Sequence, residues 1–235
     1  MLNPNLPVDA LAKQYASRAR VLVPQLLLPR AADDLYDILA RRTVWSLVHN
    51  EADGRVSVLS GAELAAMTQE EKTRRLKDVL DRARDGFSFL YRANLMADRY
   101  LNGIEPEHPL HRVVEFINGP EFLDLVRRVT GISTIARADA QATLYGPGDF
   151  LTAHDDRIPA VKRRVAYVMG MSRGWKADWG GLLQFYDANG AVEQVFVPRF
   201  NSLMLFTVPQ LHAVTPVAPY APMARYSITG WFIDP

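Results

Sequence analysis

The second half of the chain, residues 136–235, consists of short apolar runs separated by turn residues, and this pattern permits few folds. Clusters rich in glycine mark the turns, for example at residues 146–148, 180–181 and 187–190. Many short strands at close spacing are typical of a β-sandwich, a jelly roll or a barrel. The predicted strands cover residues 138–145, 161–171, 182–186, 194–197, 202–207, 212–217 and 225–232.

Helical periodicity dominates the first half of the chain. Helices are predicted at residues 31–42, 62–84, 109–118 and 121–130, and short strands at 43–49, 56–59 and 87–90. The sequence therefore predicts one α+β domain over residues 1–235. Its core is a jelly roll, or double-stranded β-helix, at residues 136–235, and residues 1–135 form a helix-rich supporting region.

The composition excludes several classes of function. The chain contains no cysteine, which rules out disulfides, thiolate catalysis and cysteine-ligated zinc or iron–sulfur sites. Its 27 basic and 26 acidic residues give a formal charge of +1, so no nucleic-acid partner is expected. The basic run Lys162–Arg164 is interpreted as the solvated face or rim of a strand rather than a nucleic-acid patch.

Neither a membrane segment nor a secretory leader is expected. Residues 1–18 lack the apolar run of a signal peptide. The uncharged stretch 201–224 is interrupted by four prolines, which a membrane-spanning helix would not tolerate without help. The chain is expected to be cytoplasmic, with no membrane partner, and its oligomeric state stays open.

A possible metal site is formed by His154, Asp155 and Asp156 together with the distant His212. On an extended segment, residues i and i+2 project to the same face, which favours Asp156 over Asp155 as the partner of His154. Two histidines and one carboxylate make the facial triad of non-heme iron(II) sites, which leaves coordination positions open for other ligands. His212 would arrive from another strand.

The order and spacing of four motifs carry a family resemblance over residues 138–233. The motifs are Tyr145-Gly-Pro-Gly-Asp-Phe-Leu-Thr-Ala-His154-Asp-Asp156, Trp179-Gly-Gly-Leu-Leu183, His212, and Arg225-Tyr-Ser-Ile-Thr-Gly-Trp-Phe232. The chain resembles the 2-oxoglutarate- and iron(II)-dependent dioxygenases, and within them the prolyl-hydroxylase group most.

The resemblance implies the cofactors and their ligands. His154, Asp156 and His212 would bind Fe(II), with 2-oxoglutarate and O2 in the open positions and L-ascorbate as a further candidate cofactor. Arg225 would bind the distal carboxylate of 2-oxoglutarate, with Ser227 two residues along the same strand face. Tyr145 would contact the same carboxylate, and Tyr167 is a further candidate for this pocket.

The resemblance also implies a reaction, with alternatives. It implies hydroxylation of an unactivated C–H bond, in a prolyl residue of a protein or peptide, with release of succinate and CO2. The carboxylate of Asp156 favours hydroxylation over halogenation. A free amino acid or small metabolite is the alternative substrate, and a non-catalytic jelly-roll binding module is a more distant alternative.

Some residues have only general predictions. Segments 43–60 and 85–106 are expected to form a substrate-side groove or lid, with Trp45, Arg92, Arg99 and Tyr100 as unranked candidates for substrate contact. Trp231 is predicted to lie in the core, because aromatic residues on strands generally do. His49 is predicted to be a surface residue.

Overall fold

A computed structural model describes all residues, 1–235. The helices are α1 (Val8–Arg18), α2 (Pro29–Asp37), α3 (Gly61–Ala66), α4 (Gln69–Asp85), α5 (Met96–Leu101), α6 (Leu110–Asn118) and α7 (Pro120–Thr130). The strands of the first 135 residues are β1 (Arg20–Pro24), β2 (Ser46–Asn50), β3 (Val56–Leu59) and β4 (Phe89–Asn94). The later strands are β5 (Arg137–Ala138), β6 (Gln141–Tyr145), β7 (Phe150–His154), β8 (Arg163–Gly170), β9 (Leu183–Tyr186), β10 (Val192–Phe196), β11 (Ser202–Thr207), β12 (His212–Val214) and β13 (Arg225–Ile233).

All strands belong to one antiparallel sheet that curls around a central cavity. Its main path runs β1-β11-β8-β13-β6-β4-β7-β12-β9-β10, while β2, β3 and β5 branch from it. The predicted α+β fold with a jelly-roll core and supporting helices is confirmed. Strands from the first half of the chain take part in the core, because β1 pairs with β11 and β4 pairs with β6 and β7.

The predicted helix at residues 62–84 is in fact two helices, because two capping boxes follow each other. Ser60 caps the start of α3 and exchanges hydrogen bonds with Glu63. Thr68 does the same with Glu71 at the start of α4. A side-chain cap replaces the backbone partners that the first turn of a helix lacks, so a new helix begins at each cap.

Two apolar cores hold the sheet in its curled form. The larger lies between the helices and the outer face of the sheet, where the ring of Phe122 on α7 stacks on Phe232 of β13 at 6.1 Å. The smaller lines the inside of the curl and includes Phe185 and Phe206. Each such fully buried side chain stabilises the fold by roughly 1.5–3 kcal/mol. Together they fix the strands that border the cavity.

The sequence patterns missed four elements. The missed elements are α1, β1, α5 and β7. Helix α1 begins after Pro7 without a side-chain cap and buries only Leu11 and Tyr15, so its signal in the sequence is weak.

The structure contains no helix with the length and apolar character needed to cross a bilayer.

The prediction that His49 is a surface residue is wrong. This residue on β2 is fully buried beneath α4. Its Nε2 lies 3.1 Å from Nη1 of Arg75 and its Nδ1 lies 3.1 Å from the carbonyl oxygen of Asn50. Arginine can only donate, so Nε2 accepts and Nδ1 carries the proton. Helix α4 covers a strand face that the sequence alone left exposed.

Candidate active site

The inside of the curled sheet holds a cavity of about 420 Å³. Its apolar wall includes Phe89, Leu183, Phe206 and Val214. All seven site residues predicted from the sequence border this one cavity: Tyr145, His154, Asp156, Tyr167, His212, Arg225 and Ser227. Clefts that are mostly apolar with a few convergent polar groups are typical of ligand sites.

Three potential metal ligands converge on one wall of the cavity. Strands β7 and β12 are paired so that His154 and His212 lie opposite each other. Nε2 of His154 lies 3.3 Å from Oδ1 of Asp156, and Nε2 of His212 lies 3.5 Å from its Oδ2. The three ligand atoms all lie within 4.8 Å of one another. This donor set of two imidazoles and one carboxylate fits a non-heme iron(II) site.

Backbone carbonyl groups fix the orientation of both imidazoles. Nδ1 of His154 lies 3.0 Å from the carbonyl oxygen of Thr152, and Nδ1 of His212 lies 2.8 Å from that of Gln210. Each Nδ1 therefore carries the proton and donates it to a carbonyl, which leaves the Nε2 lone pair directed at Asp156. Hydrogen bonds of this kind orient metal-ligating histidines in proteins.

Asp156, as predicted, lies beside the two histidines, but a turn and not the predicted strand alternation brings it there. Strand β7 ends at His154, and Asp156 has a φ of +65°, in the left-handed region. The chain thus turns after the strand instead of continuing its alternation. The turn directs the Asp156 carboxylate to the histidines, whereas Asp155 also borders the cavity but pairs with Arg157 at 2.6 Å and is not part of the ligand cluster.

Burial and charge keep these groups in their ligand forms. Burial, and to a smaller extent the neighbouring His154, lower the pKa of His212 to about 4. Burial alone would raise the pKa of Asp156, but its contacts with the imidazoles of His154 and His212 hold it below its ordinary value. At neutral pH, His212 is neutral and Asp156 is ionised, as metal coordination requires.

A buried arginine without an anionic partner lies deeper in the cavity. Arg225 is 4% exposed, its guanidinium lies 4.9 Å from the centre of the Tyr145 ring, and its Nη1 has no hydrogen-bond partner. Burial lowers its pKa from the ordinary value. The neighbouring Ser227 hydroxyl pairs with that of Thr143 at 2.8 Å. An unpaired buried cation is costly, which makes this end of the cavity suitable for an anion.

The two predicted tyrosines, Tyr145 and Tyr167, have different contacts in the cavity. Tyr145 stacks on Tyr91 with ring centres 5.0 Å apart, and burial raises its pKa well above the ordinary value. The Tyr167 hydroxyl donates to the backbone oxygen of Asp139 at 2.9 Å. Tyr167 therefore presents mainly its ring to the cavity.

Comparison with known proteins shows what this core is similar to. The sequence pattern of the 2OG-Fe(II) oxygenase superfamily matches residues 140–233. This segment contains the His-Asp-His cluster and Arg225. Members of this superfamily use Fe(II), 2-oxoglutarate and O2, and the donor set described above suits that metal.

One curated protein with a similar sequence is a prolyl hydroxylase. The chain is 30% identical over 122 residues to mouse prolyl 3-hydroxylase OGFOD1. The aligned segment covers 49% of this chain but only 22% of that relative. The chain thus spans about a fifth of the length of the curated relative it matches.

Solved prolyl hydroxylases share the fold over nearly the whole chain. A prolyl-4-hydroxylase from Pseudomonas putida superimposes with a TM-score of 0.59 at 16% identity, covering 99% of this chain and 95% of the other. A Trichoplax adhaerens prolyl hydroxylase, solved with a hypoxia-inducible factor peptide fragment, superimposes with a TM-score of 0.62 at 16% identity. The superposition covers 97% of this chain and 89% of the other. At such identities the likeness concerns the fold.

Two residues that border the cavity were not predicted to do so. Trp231, predicted to lie in the core, packs against the smaller apolar core and also borders the cavity, and its indole Nε1 is buried without a hydrogen-bond partner. Arg163, predicted to lie on the solvated face or rim of a strand, has its guanidinium 3.5 Å from the centre of the Trp231 ring. Its Nη1 donates to the backbone oxygen of Asp156 at 3.1 Å. Nothing in a basic triplet distinguishes its middle residue from the outer two.

The predicted substrate-side segments contribute to the cavity through other residues than those singled out. Segment 43–60 contributes Val56, and segment 85–106 contributes Phe87, Phe89 and Tyr91. None of the four candidates for substrate contact borders the cavity: Trp45, Arg92, Arg99 and Tyr100. Arg92, for example, projects from the outer face of β4 and forms an ion pair with Asp149 at 2.9 Å.

Asp149, in the turn before β7, gives a prediction about pH. Burial raises the pKa of this carboxyl to about 6, although the Gly146 N–H and Arg92 favour its ionised form. Because the pKa of Asp149 is about 6 in the folded protein and 3.8 in the unfolded chain, protonation of this carboxyl stabilises the folded state. This stabilisation is complete at low pH and is lost as the pH rises from about 4 to about 6. Asp149→Asn should therefore gain stability relative to the wild type, by about 2 kcal/mol more at pH 7 than at pH 4. Urea unfolding of both proteins at the two pH values measures this difference, and a constant difference would contradict it.

Proposed function

We propose that this chain is an Fe(II)- and 2-oxoglutarate-dependent dioxygenase that hydroxylates a prolyl residue in a protein or peptide. Succinate and CO2 are the products derived from 2-oxoglutarate. The observation that carries this proposal is a pair of features in one cavity: a cluster of three N/O ligands and, deeper in, the unpaired buried guanidinium of Arg225. A binding site for the metal alone would have no use for that second feature.

His154, Asp156 and His212 would hold Fe(II) through two Nε2 atoms and a carboxylate oxygen. The fit rests on their Nδ1–H groups, which are engaged by carbonyls, and on the neutral state of His212. Arg225 would bind the distal carboxylate of 2-oxoglutarate, with the Ser227 hydroxyl as a second donor. When bound, Fe(II) with 2-oxoglutarate and O2 supplies the oxidising power for inserting oxygen into a C–H bond.

The remaining residues of the cavity have roles in orientation and in excluding water. Tyr145 supports the Arg225 guanidinium with the face of its ring, which restricts the direction of that side chain. Apolar side chains such as Phe206 and Val214 border the space beside the metal ligands. A dry wall strengthens the interaction between Arg225 and a carboxylate and protects reactive species from side reactions.

A prolyl substrate is supported by the names of the relatives and by the open side of the cavity. Val56, Phe87 and Ile158 border this side and remain 61%, 48% and 42% exposed. An exposed apolar rim of this kind suits a substrate that enters as part of a longer chain. We infer that Arg163 and Trp231 form the wall against which the substrate residue lies, and that Arg163 donates to one of its carbonyl groups.

A free amino acid is the second candidate substrate, because Arg163 forms no ion pair. It is half-buried, and burial lowers its pKa from the ordinary value. Such a cation could bind the carboxylate of a free amino acid as well as a peptide carbonyl. A prolyl peptide with blocked termini and free L-proline separate the two cases, since only the first has no carboxylate to offer.

The proposal is tested by anaerobic addition of Fe(II) and 2-oxoglutarate to the purified protein, followed by exposure to O2 with a peptide panel. We expect a weak visible charge-transfer band, then succinate formation and a product heavier by one oxygen atom. No band and no succinate from folded, Fe(II)-loaded protein would contradict the dioxygenase assignment. Succinate with hydroxylation of free proline only would contradict the peptide assignment.

Arg163→Met should separate substrate binding from the rest of the reaction. Loss of one hydrogen bond from a charged donor should reduce kcat/KM for the peptide by roughly tenfold or more. The slow succinate formation that occurs without substrate should change less than peptide turnover. The side chains of the metal ligands and Arg225 are kept, and only the hydrogen bond from Arg163 to the Asp156 backbone is lost. Arg164→Met is the matched control, since Arg164 points outward and pairs with Asp234 at 2.7 Å. Equal effects of the two variants would show that Arg163 has no specific role.

A further inference from the structure

The helical hairpin formed by α3 and α4 covers the sheet only loosely. Helix α4 is 17 residues long but buries a single side chain, Val79, and α3 buries none. Two apolar residues of α4, Leu76 and Leu80, are 45% and 44% exposed. Helices in proteins are stabilised mostly by packing of an apolar face. A long helix with one buried residue has apolar surface that no part of this chain covers.

A groove of about 280 Å³ lies between this hairpin and the outer face of β2 and β4. Its apolar walls are formed by Leu47, Leu64, Met67, Leu76, Val79 and Leu90. The groove and the candidate active site share no bordering residue. They lie on opposite faces of β4, because Phe89 and Tyr91 face the active-site cavity while Leu90 and Arg92 face the groove.

The polar residues of the groove carry positive charge in excess. Lys72, Arg75 and Arg92 border it, and Asp149 is its one carboxylate. Asp149 already accepts hydrogen bonds from Arg92 and from the Gly146 N–H. Lys72 forms no ion pair within 4.0 Å. Arg75 pairs with Glu51 at 2.9 Å through Nη1, and its buried Nε has no hydrogen-bond partner. The groove therefore has cationic donors left over for an anion at its rim.

We propose that this groove is a second binding site, for a small organic anion that carries a carboxylate on an unbranched apolar body. The apolar body would lie against the six aliphatic side chains and Lys72 would bind the carboxylate. A dry cavity of roughly 150 Å³ can hold benzene, so the groove has room for a chain of about eight carbons. Ligand sites are characteristically apolar with a few placed polar groups, as here.

The test titrates the full chain with sodium octanoate and follows methyl resonances by NMR, with octanol as the uncharged probe. We expect saturable binding at roughly millimolar concentration, with the largest shifts at the methyl groups of Leu76 and Leu90. Lys72→Met should weaken octanoate binding about fivefold and leave octanol binding unchanged, because the cation is partly exposed. Lys77→Met on the same helix is the matched control, since Lys77 pairs with Asp81 and does not border the groove.

Two further measurements locate the bound octanoate. Leu64→Trp, on a helix that buries none of its residues, should fill the groove and remove the binding of both probes while the protein keeps its circular dichroism spectrum. Saturating 2-oxoglutarate should not displace octanoate, since Arg225 lies in the other cavity. Displacement by 2-oxoglutarate, equal effects of the two lysine variants, or no shift at these methyl groups would each overturn the proposal.

Discussion

Replacing His212 with alanine should abolish Fe(II) binding and substrate turnover in a protein that stays folded. The Nε2 atom of this residue is one of three donors within 4.8 Å of one another, so its removal leaves two protein ligands for the metal. Loss of the metal removes several kcal/mol of transition-state stabilisation, and activity should fall by at least roughly a thousandfold. Equilibrium dialysis against Fe(II) and succinate formation from 2-oxoglutarate measure the two effects.

The neighbouring acidic residue provides the matched control for the metal site. Asp155 pairs with Arg157 outside the cluster, so Asp155→Ala should keep Fe(II) affinity and turnover, whereas Asp156→Ala should behave like His212→Ala. Circular dichroism spectra confirm that all three variants are folded. Full activity in His212→Ala, or loss of metal in Asp155→Ala with retention in Asp156→Ala, would show that another set of residues binds the iron.

The metal cluster was predictable from residue types and spacing, but its local geometry was not. A histidine with a carboxylate two residues away suggests that the two bind one metal ion, and Asp156 does lie beside both histidines. The reason given, alternation along a strand, fails because β7 ends at His154 and Asp156 adopts a left-handed backbone. A turn can bring the same residue to the same place as a strand, and the sequence does not distinguish the two.

Burial of polar and aromatic residues was the least predictable part of the site. The prediction for His49 is wrong, and those for Arg163 and Trp231 did not include the cavity that both side chains border. Their environments depend on tertiary neighbours: α4 covers His49, and the ring of Trp231 lies beneath the Arg163 guanidinium. Periodicity along a segment reports which residues share a face. It does not report what that face meets, whether core, ligand cavity or solvent.

Elements with clear signals at both ends were predicted to within one residue, whether strands or helices such as α6 and α7. The predicted strands at residues 56–59 and 202–207 coincide with β3 and β11, because turn residues border both. The predicted helix at 62–84 ignored the Thr68 cap in its middle. Short strands are defined by their ends, where glycine, proline and polar residues are informative. The division of the chain at residue 135 into a supporting region and a core stays a prediction.

Replacing Arg225 with methionine should weaken 2-oxoglutarate binding roughly a hundredfold and reduce kcat much less at saturating cosubstrate. The variant removes the charged partner of the buried distal carboxylate, and truncating such a partner typically costs several kcal/mol. Fe(II) affinity should stay close to that of the wild type, because Arg225 is not among the metal ligands. Steady-state kinetics with varied 2-oxoglutarate measure the change in KM. An unchanged KM would contradict the assignment of Arg225 to the cosubstrate.

The same substitution should stabilise the protein in the absence of 2-oxoglutarate, and this second effect separates a ligand-binding role from a structural one. Arg225 is buried with no anionic partner, so its charge opposes folding until a ligand neutralises it. An apolar side chain of similar length removes that cost, and the thermal midpoint of Arg225→Met should rise by a few degrees, for a gain of roughly 1 kcal/mol. With Fe(II) present in both samples, a given concentration of 2-oxoglutarate should raise the midpoint of the wild type by more than that of the variant. If Arg225 instead supports the fold, Arg225→Met will melt at a lower temperature than the wild type, with or without 2-oxoglutarate.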